Sequence, residues 1–359
     1  MVATIQSIRI NNTLVTDKVS NRHSPRAFSS RSGRLAKSGG ARSILCRGQN
    51  GDRGSVTVGE DVATLDGPFA SLNQGIASFY DASTGLWEDM WGDHLHHGYY
   101  STEEGAPRVS NRQAQIDMIE NVLSWAGVER VTKMVDVGCG LGGSSRHVVQ
   151  KYGATQTDSP SAKGITLSPF QALRGNEISL AQGLSPEQVH LQVADALNQP
   201  FPDNSFDLVW SLESGEHMPD KKKFVGELVR VAMPGGRIII VTWCHRSLCK
   251  GETGLLPEEQ SLLDRICEAY YLPAWCSIDE YKSLFESYGI QDIKTADWSE
   301  EVSPFWGEVI KSALSLEGIL GLMKAGWKTL KGALVMPLMA QGLKTGLVKF
   351  VLITGTKQQ

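Results

Sequence analysis

The chain has 359 residues, 41% of them hydrophobic, and a formal net charge of −4 at pH 7. That is enough apolar material to bury a full core, and one large domain with insertions accounts for it better than two equal ones. Six cysteines without C-x-x-C spacing indicate neither a zinc site nor a disulfide scaffold, and no uncharged stretch reaches the roughly 18 residues needed to cross a bilayer.

Residues 1–50 hold nine lysines and arginines against one acidic residue, Asp17, a balance of +8 that leaves −12 for residues 51–359. This leader is rich in serine and lacks an apolar run long enough for a secretory signal. It reads as a plastid transit peptide, cleaved between Cys46 and Gly59. A basic arm for nucleic acid would carry interleaved aromatics, so no nucleic-acid partner is expected. Residues 51–70, with Gly51, Gly54, Gly59 and Gly67, look like a linker, and residues 71–359 form the working domain. Its first part, 71–130, reads as an N-terminal cap. That stretch is aromatic from Phe79 to Tyr100, and then a helix is announced by Ser110 and Gln113 at capping-box spacing. Ile116, Ile119, Leu123 and Ala126 would form its buried face, and Gly127 would end it.

Beyond the cap, strands and helices alternate, which predicts an open, largely parallel sheet covered by helices. The expected strands are Met134–Val137, Gly164–Leu167, Val189–Val193, Phe206–Trp210, Arg237–Thr242, a sixth in Ile290–Ala296, and Phe350–Thr354, with a helix over Ser144–Tyr152. Two helical insertions, 248–288 and 304–347, interrupt the pattern. Ligands of such sheets bind outside the carboxyl ends of the strands, where the glycine turn, Asp195, Glu213 and Trp243 would gather.

The turn itself is M-V-D-V-G-C-G-L-G-G, Met134 to Gly143. A strand running into glycines and then a helix lets the backbone approach a ligand beside free N–H groups. Asp136 sits where it can balance a cationic ligand. Gly138, Gly140 and Gly143 satisfy G-x-G-x-x-G, so the turn alone does not separate S-adenosylmethionine from NAD. An NAD site wants an acid at the end of the second strand, and that strand ends I-T-L-S-P, with Ser168 in its place. In the third, V-A-D-A sets Asp195 to accept from an adenine amine between apolar neighbours. Q-P-F-P-D-N-S-F-D-L-V-W and L-V-R-V-A-M-P-G-G-R-I-I-I follow, and the ordered set resembles that of the seven-stranded, Rossmann-like S-adenosylmethionine-dependent methyltransferases.

From about Leu72 onward the chain resembles the plant gamma-tocopherol methyltransferase family. The blocks that carry the likeness include F-Y-D-A-S-T-G-L-W-E-D-M-W-G-D-H-L-H-H-G-Y-Y, D-V-G-C-G-L-G-G-S-S-R, G-I-T-L-S-P-F-Q-A, S-L-E-S-G-E-H-M-P-D-K and A-Y-Y-L-P-A-W-C-S. The resemblance implies methyl transfer from S-adenosylmethionine to the chromanol ring of gamma- and delta-tocopherol, giving alpha- and beta-tocopherol, in plastids. Plant alkaloid N-methyltransferases are similar to the same family, so an indole-alkaloid nitrogen is the alternative acceptor, and a non-catalytic lipid-binding protein on this fold is a third reading. In the family G-I-T-L-S-P replaces the usual ribose acid, which makes Thr166, Leu167 and Gln171 candidate cofactor contacts beside Asp136, Gly138, Cys139, Gly140, Asp195 and Ala196.

A phenol-activated ring carbon is a poor nucleophile until the phenol proton leaves, so a positioned base is expected. Glu213 and His217, just past the fourth strand, are the catalytic candidates, with Glu216 beside them. Either residue could instead order the cofactor pocket through hydrogen bonds. His94, His96 and His97 are a second group and His245 a third. The histidine cluster superficially suits a metal, but a hydrogen-bonded lid fits it better, and no metal is expected. Between Glu308 and Lys349, six lysines interleave with Leu, Met and Trp. That pattern suits either peripheral contact with a plastid membrane surface or a helix capping the core. In both cases Leu330–Leu343 would line a slot for the tail of a small, hydrophobic, prenylated phenol.

Overall fold

In a computed structural model the described residues are 43–47, 53–57, 68–154, 159–314 and 327–359, with side chains described outside 43–57, 86, 90 and 307–335. Two strands come first, β1 (Ser43–Arg47) and β2 (Arg53–Thr57), paired antiparallel with Ile44 opposite Val56. The sequence reading places a leader and a glycine-containing linker here. The β-branched residues Ile44, Val56 and Thr57 favour an extended pair instead. Most of the leader lies outside the described residues.

The main sheet holds β3 (Lys133–Val137), β4 (Ser161–Thr166), β5 (Val189–Val193), β6 (Phe206–Leu212), β7 (Ala232–His245), β8 (Gln291–Asp297) and β9 (Val348–Thr356). Its order is β5-β4-β3-β6-β7-β9-β8, parallel from β5 to β7, with β9 antiparallel to both neighbours. The order reverses between β3 and β4 on one side and β6 on the other, which opens the ligand crevice at the β3 carboxyl end. Every expected strand is present; β6 and β7 run further than their apolar cores suggest, because both lie in the middle of the sheet. Their residues bury on alternate faces. Leu208, Trp210, Ile239, Val241 and Trp243 enter one core, while Val209, Ile238, Ile240 and Cys244 enter the other. Strands covered on both sides read as nearly continuous apolar runs, as these do.

Helix α1 (Ala70–Trp91) precedes α2 (Asn111–Trp125) in the cap. Ser110 caps α2 by accepting from the Gln113 amide, and Gly127 follows at φ +69°. The buried face runs through Ala114, Gln115, Met118, Ile119, Val122 and Leu123. Of the expected stripe Ile119, Leu123 and Ala126 are buried, and Ile116 is half-buried at its edge. Helices α3 (Gly143–Gly153) and α4 (Pro169–Ala181) follow β3 and β4, and α5 (Lys221–Val231) leads into β7. The first insertion supplies α6 (Pro257–Tyr270) and α7 (Ile278–Ser287). The second supplies α8 (Ser299–Leu314) and α9 (Trp327–Thr345). The side chains of the first half of the expected tail slot lie outside the described residues. In the second half Met336, Leu338, Met339 and Leu343 pack on the sheet core, so this end of α9 is a core cap. Among the described residues no helix is long and apolar enough to cross a membrane.

Candidate active site

The turn after β3 is shaped by what lies against it. Gly138 has φ +84°, and a Cβ there would sit 2.2 Å from Cβ of Ser214. Ser214 is fixed in turn, donating to the Val137 carbonyl at 2.7 Å. At Gly143, which opens α3, a Cβ would fall 2.5 Å from Nδ1 of His94. Glycine is therefore demanded once by the β6 side and once by the cap folded over the helix start.

The crevice lining includes Asp136, Gly138, Cys139, Gly140, Thr166, Leu167, Gln171, Asp195, Ala196, Glu213 and His217, while Trp243 lies outside it. Asp136 is 2% exposed, accepts from Ser145 Oγ at 2.7 Å, and is pushed up to about 6 by burial, with the Ser145 bonds opposing. Asp195 accepts the Leu197 amide at 2.8 Å and the Asn73 side-chain amide at 3.2 Å. At the end of β4, Thr166 donates to Gln171 Oε1 at 2.7 Å, and Gln171 Nε2 donates to Thr84 of α1 at 3.1 Å. Ser168 caps α4 through the Gln171 amide, and its hydroxyl bonds Asp81 of α1.

Glu213, at φ +54°, does not stand free as a base. Its Oε1 accepts the His97 amide at 2.6 Å and its Oε2 meets His97 Nδ1 at 2.6 Å, with Trp243 Nε1 at 3.4 Å. Burial would raise its pKa, but the His97 charge and bonds outweigh burial and hold it below 4.5. The carboxylate is a clasp between cap and sheet, the arrangement expected if Glu213 orders the pocket through hydrogen bonds. His97 is ringed by Trp243, Phe305 and Trp306. Glu216 is outside the crevice lining; it accepts from Thr242 at 2.7 Å and is pushed up to about 7 by burial and by Glu213.

His217 is different. Its Nε2 lies 3.0 Å from the Tyr80 hydroxyl, and its buried Nδ1 has no protein partner. Burial and then Lys221 push it down to about 4, against Glu213, so the ring is neutral at pH 7. His94 and His96 also line the crevice, and burial lowers both, His94 to about 3. Among the described residues no three His, Cys, Asp or Glu side chains are grouped to hold a metal.

Helix α1 supplies contacts the sequence reading does not name: Asn73, Ile76 and Tyr80 all face the crevice. Their spacing of three and four was available in the sequence, on a helix that also carries Phe79, Trp87 and Trp91. The described lining contains Asp93, Asp136, Asp195 and Glu213 but no lysine or arginine.

A glycine cradle against a buried acid, a second acid past β5 and partnerless buried imidazoles fit a cationic nucleoside. A methyltransferase-domain family matches residues 135–240. The chain is thus an S-adenosylmethionine-dependent methyltransferase. It is 56% identical over 293 residues to a probable chloroplastic tocopherol O-methyltransferase of Oryza sativa subsp. japonica, covering 80% of this chain and 79% of that one. With the Arabidopsis thaliana tocopherol O-methyltransferase the identity is 53% over 313 residues, covering 85% and 87%. The chain belongs to the tocopherol O-methyltransferase family and, like these two relatives, is a chloroplast protein. Norajmaline N-methyltransferase of Rauvolfia serpentina is 37% identical, covering 81% of this chain and 100% of that one. Among solved structures, the geranyl diphosphate C-methyltransferase of Streptomyces coelicolor A3(2), in complex with S-adenosyl-L-homocysteine, shares the fold. Its TM-score is 0.63 at 20% identity, covering 81% of this chain and 100% of that chain.

Proposed function

We propose that this enzyme methylates the chromanol ring of gamma-tocopherol and delta-tocopherol, with Tyr80 and His217 handling the phenol proton. The observation that carries the reading is the Tyr80–His217 pair at 3.0 Å, with His217 Nδ1 buried, unpartnered and on the crevice wall. With Nε2–H donating to the Tyr80 oxygen, the lone pair on Nδ1 faces the acceptor. When bound, S-adenosylmethionine supplies an electrophilic methyl group. Asp136, the Gly138–Gly140 turn, Thr166, Leu167, Gln171, Asp195 and Ala196 hold and orient that donor, so alignment supplies much of the rate. His217 takes the phenol proton as positive charge leaves the neighbouring sulfur, so the crevice keeps its net charge, and Glu213 nearby favours the imidazolium. The methylated carbon then releases its ring hydrogen as a proton to solvent, the phenol oxygen regains its proton from the imidazolium, and the ring is aromatic again. Tyr80 fixes the ring orientation of His217. Identity to tocopherol methyltransferases well above that to the alkaloid enzyme supports the phenol as acceptor. A lining without lysine or arginine suits a neutral acceptor rather than a phosphate ester. The same lining suits an amine, which keeps an indole-alkaloid nitrogen as the second reading. Peripheral contact with a plastid membrane, through the basic segment 304–347, would deliver a prenylated phenol.

Labelled methyl donor offered with tocopherols and monomethylated indole alkaloids tests the acceptor: labelled alpha- and beta-tocopherol are expected, and a methylated alkaloid alone would reject the reading. His217→Asn should lower kcat by about 10²- to 10⁴-fold with donor affinity kept. Because His217 is neutral down to about pH 4, the acid limb of its rate profile should fall well below 6.5. Unchanged turnover would place the base elsewhere.

A further inference from the structure

One buried nitrogen of the crevice has no part in the chemistry described so far, Nε2 of His96. The residue is 8% exposed and Nε2 has no protein partner. Its other nitrogen is committed: Nδ1 lies 2.9 Å from the His97 carbonyl oxygen, which only accepts, so Nδ1 carries the proton. Nε2 is then a lone pair, because burial, the largest influence on the ring, keeps it neutral. The backbone that presents it is pinned. Gln115 of α2, fully buried, donates to the carbonyls of His94 at 2.6 Å and of His96 at 2.9 Å. His94 lies edge-on to His96, ring centroids 5.4 Å apart, and itself rests against Gly143 at the start of α3. His96 therefore belongs to the glycine-turn end of the crevice, away from Asp195 and Ala196 past β5.

A buried acceptor without a partner destabilises the protein unless a ligand brings the donor. Asp136 and Asp93, the latter paired with Arg146 at 2.6 Å, are on the same lining, which holds no lysine or arginine, so a cationic N–H is the donor that suits it. We propose that His96 Nε2 accepts a hydrogen bond from the α-ammonium on the methionine arm of S-adenosylmethionine, making His96 a cofactor-binding residue. The proposal rests on the donor assignment above and deepens it. The adenine end has its partners at Asp195, and the acceptor meets Tyr80 and His217, which leaves the amino-acid arm for the glycine-turn end.

Calorimetric titration of the full chain with S-adenosylhomocysteine, its deamino analogue and 5′-methylthioadenosine, which lacks the arm, tests this. His96→Leu should weaken S-adenosylhomocysteine by about 10- to 100-fold and change methylthioadenosine by less than about two-fold. In the wild type the deamino analogue should bind more weakly than the parent. Equal losses for both ligands would assign His96 to packing and overturn the proposal, as would unchanged affinity for S-adenosylhomocysteine. If His96→Leu fails to fold, ¹⁵N-histidine NMR of the wild type decides. The His96 Nε2 resonance should move with S-adenosylhomocysteine and stay still with methylthioadenosine; a still resonance with both refutes it. A wild type that binds neither ligand would instead overturn the donor assignment itself.

Discussion

Glu213→Gln keeps the shape of the side chain and removes its charge. In the wild type the two carboxylate oxygens accept from the His97 amide and meet His97 Nδ1, each at 2.6 Å. Glutamine offers one acceptor, so one His97 donor must face an NH₂ group. Losing a charged hydrogen bond and stranding a buried donor together cost about 2–5 kcal/mol. Little screening reduces this, since the side chains are only 14% and 11% exposed. At roughly 2 °C per kcal/mol for a domain of this size, Tm should fall by about 4–10 °C. The folded carboxyl is depressed below 4.5, so its stabilisation is full above that value and fades as pH falls through the lower folded value. Calorimetric scans stepped from pH 7 toward strong acid should therefore show the gap between wild type and variant closing. An unchanged Tm at pH 7, combined with a lost kcat and a lost limb in the pH–rate profile, would refute the clasp and restore Glu213 as the base.

The buried acid at the turn should behave in the opposite sense. The folded pKa of Asp136 is raised from 3.8 to about 6, so ionising it costs stability as pH rises through that window. Asp136→Asn should relieve on the order of 3 kcal/mol and raise Tm at pH 7 while weakening donor binding in titration calorimetry. Equal donor affinity would remove Asp136 from the site. Gly138→Ala should cost about 2–4 kcal/mol, since its φ is +84° and the new methyl would meet Ser214 at 2.2 Å. Donor binding should be lost with it, and retained binding at wild-type affinity would show that the turn gives way.

Much of the site was legible because it is local. Asp136, the glycines, Thr166 and Asp195 sit at strand ends, with Gln171 in the first turn of α4, and a strand end can be read from an apolar run and the turn after it. The strands of the main sheet were legible for the same reason, apart from their ends: β4 begins three residues before the expected Gly164, and β6, β7 and β9 run further than their apolar cores. What stayed hidden depends on distant pairing. Glu213 and His97 are 116 positions apart, and only their bond shows that the acid is engaged. The reach of Asn73 and Tyr80 to Asp195 and His217 likewise follows from how α1 lies over the sheet. The two-stranded pair at Ser43–Thr57 went unread because its glycines outweighed its β-branched residues in a local reading.

The seat of β9 between β7 and β8 has a consequence for how the enzyme is made. Nine successive residues of β7, Arg237 to His245, find their register partners on β9. Until residues 348–356 emerge and slot in, β7 offers a bare row of amides and carbonyls, and β8 has no neighbour to hold it. Synthesis and organelle import both deliver this segment long after the donor cradle, so the half-assembled protein must be shielded from aggregation while it waits for its keystone.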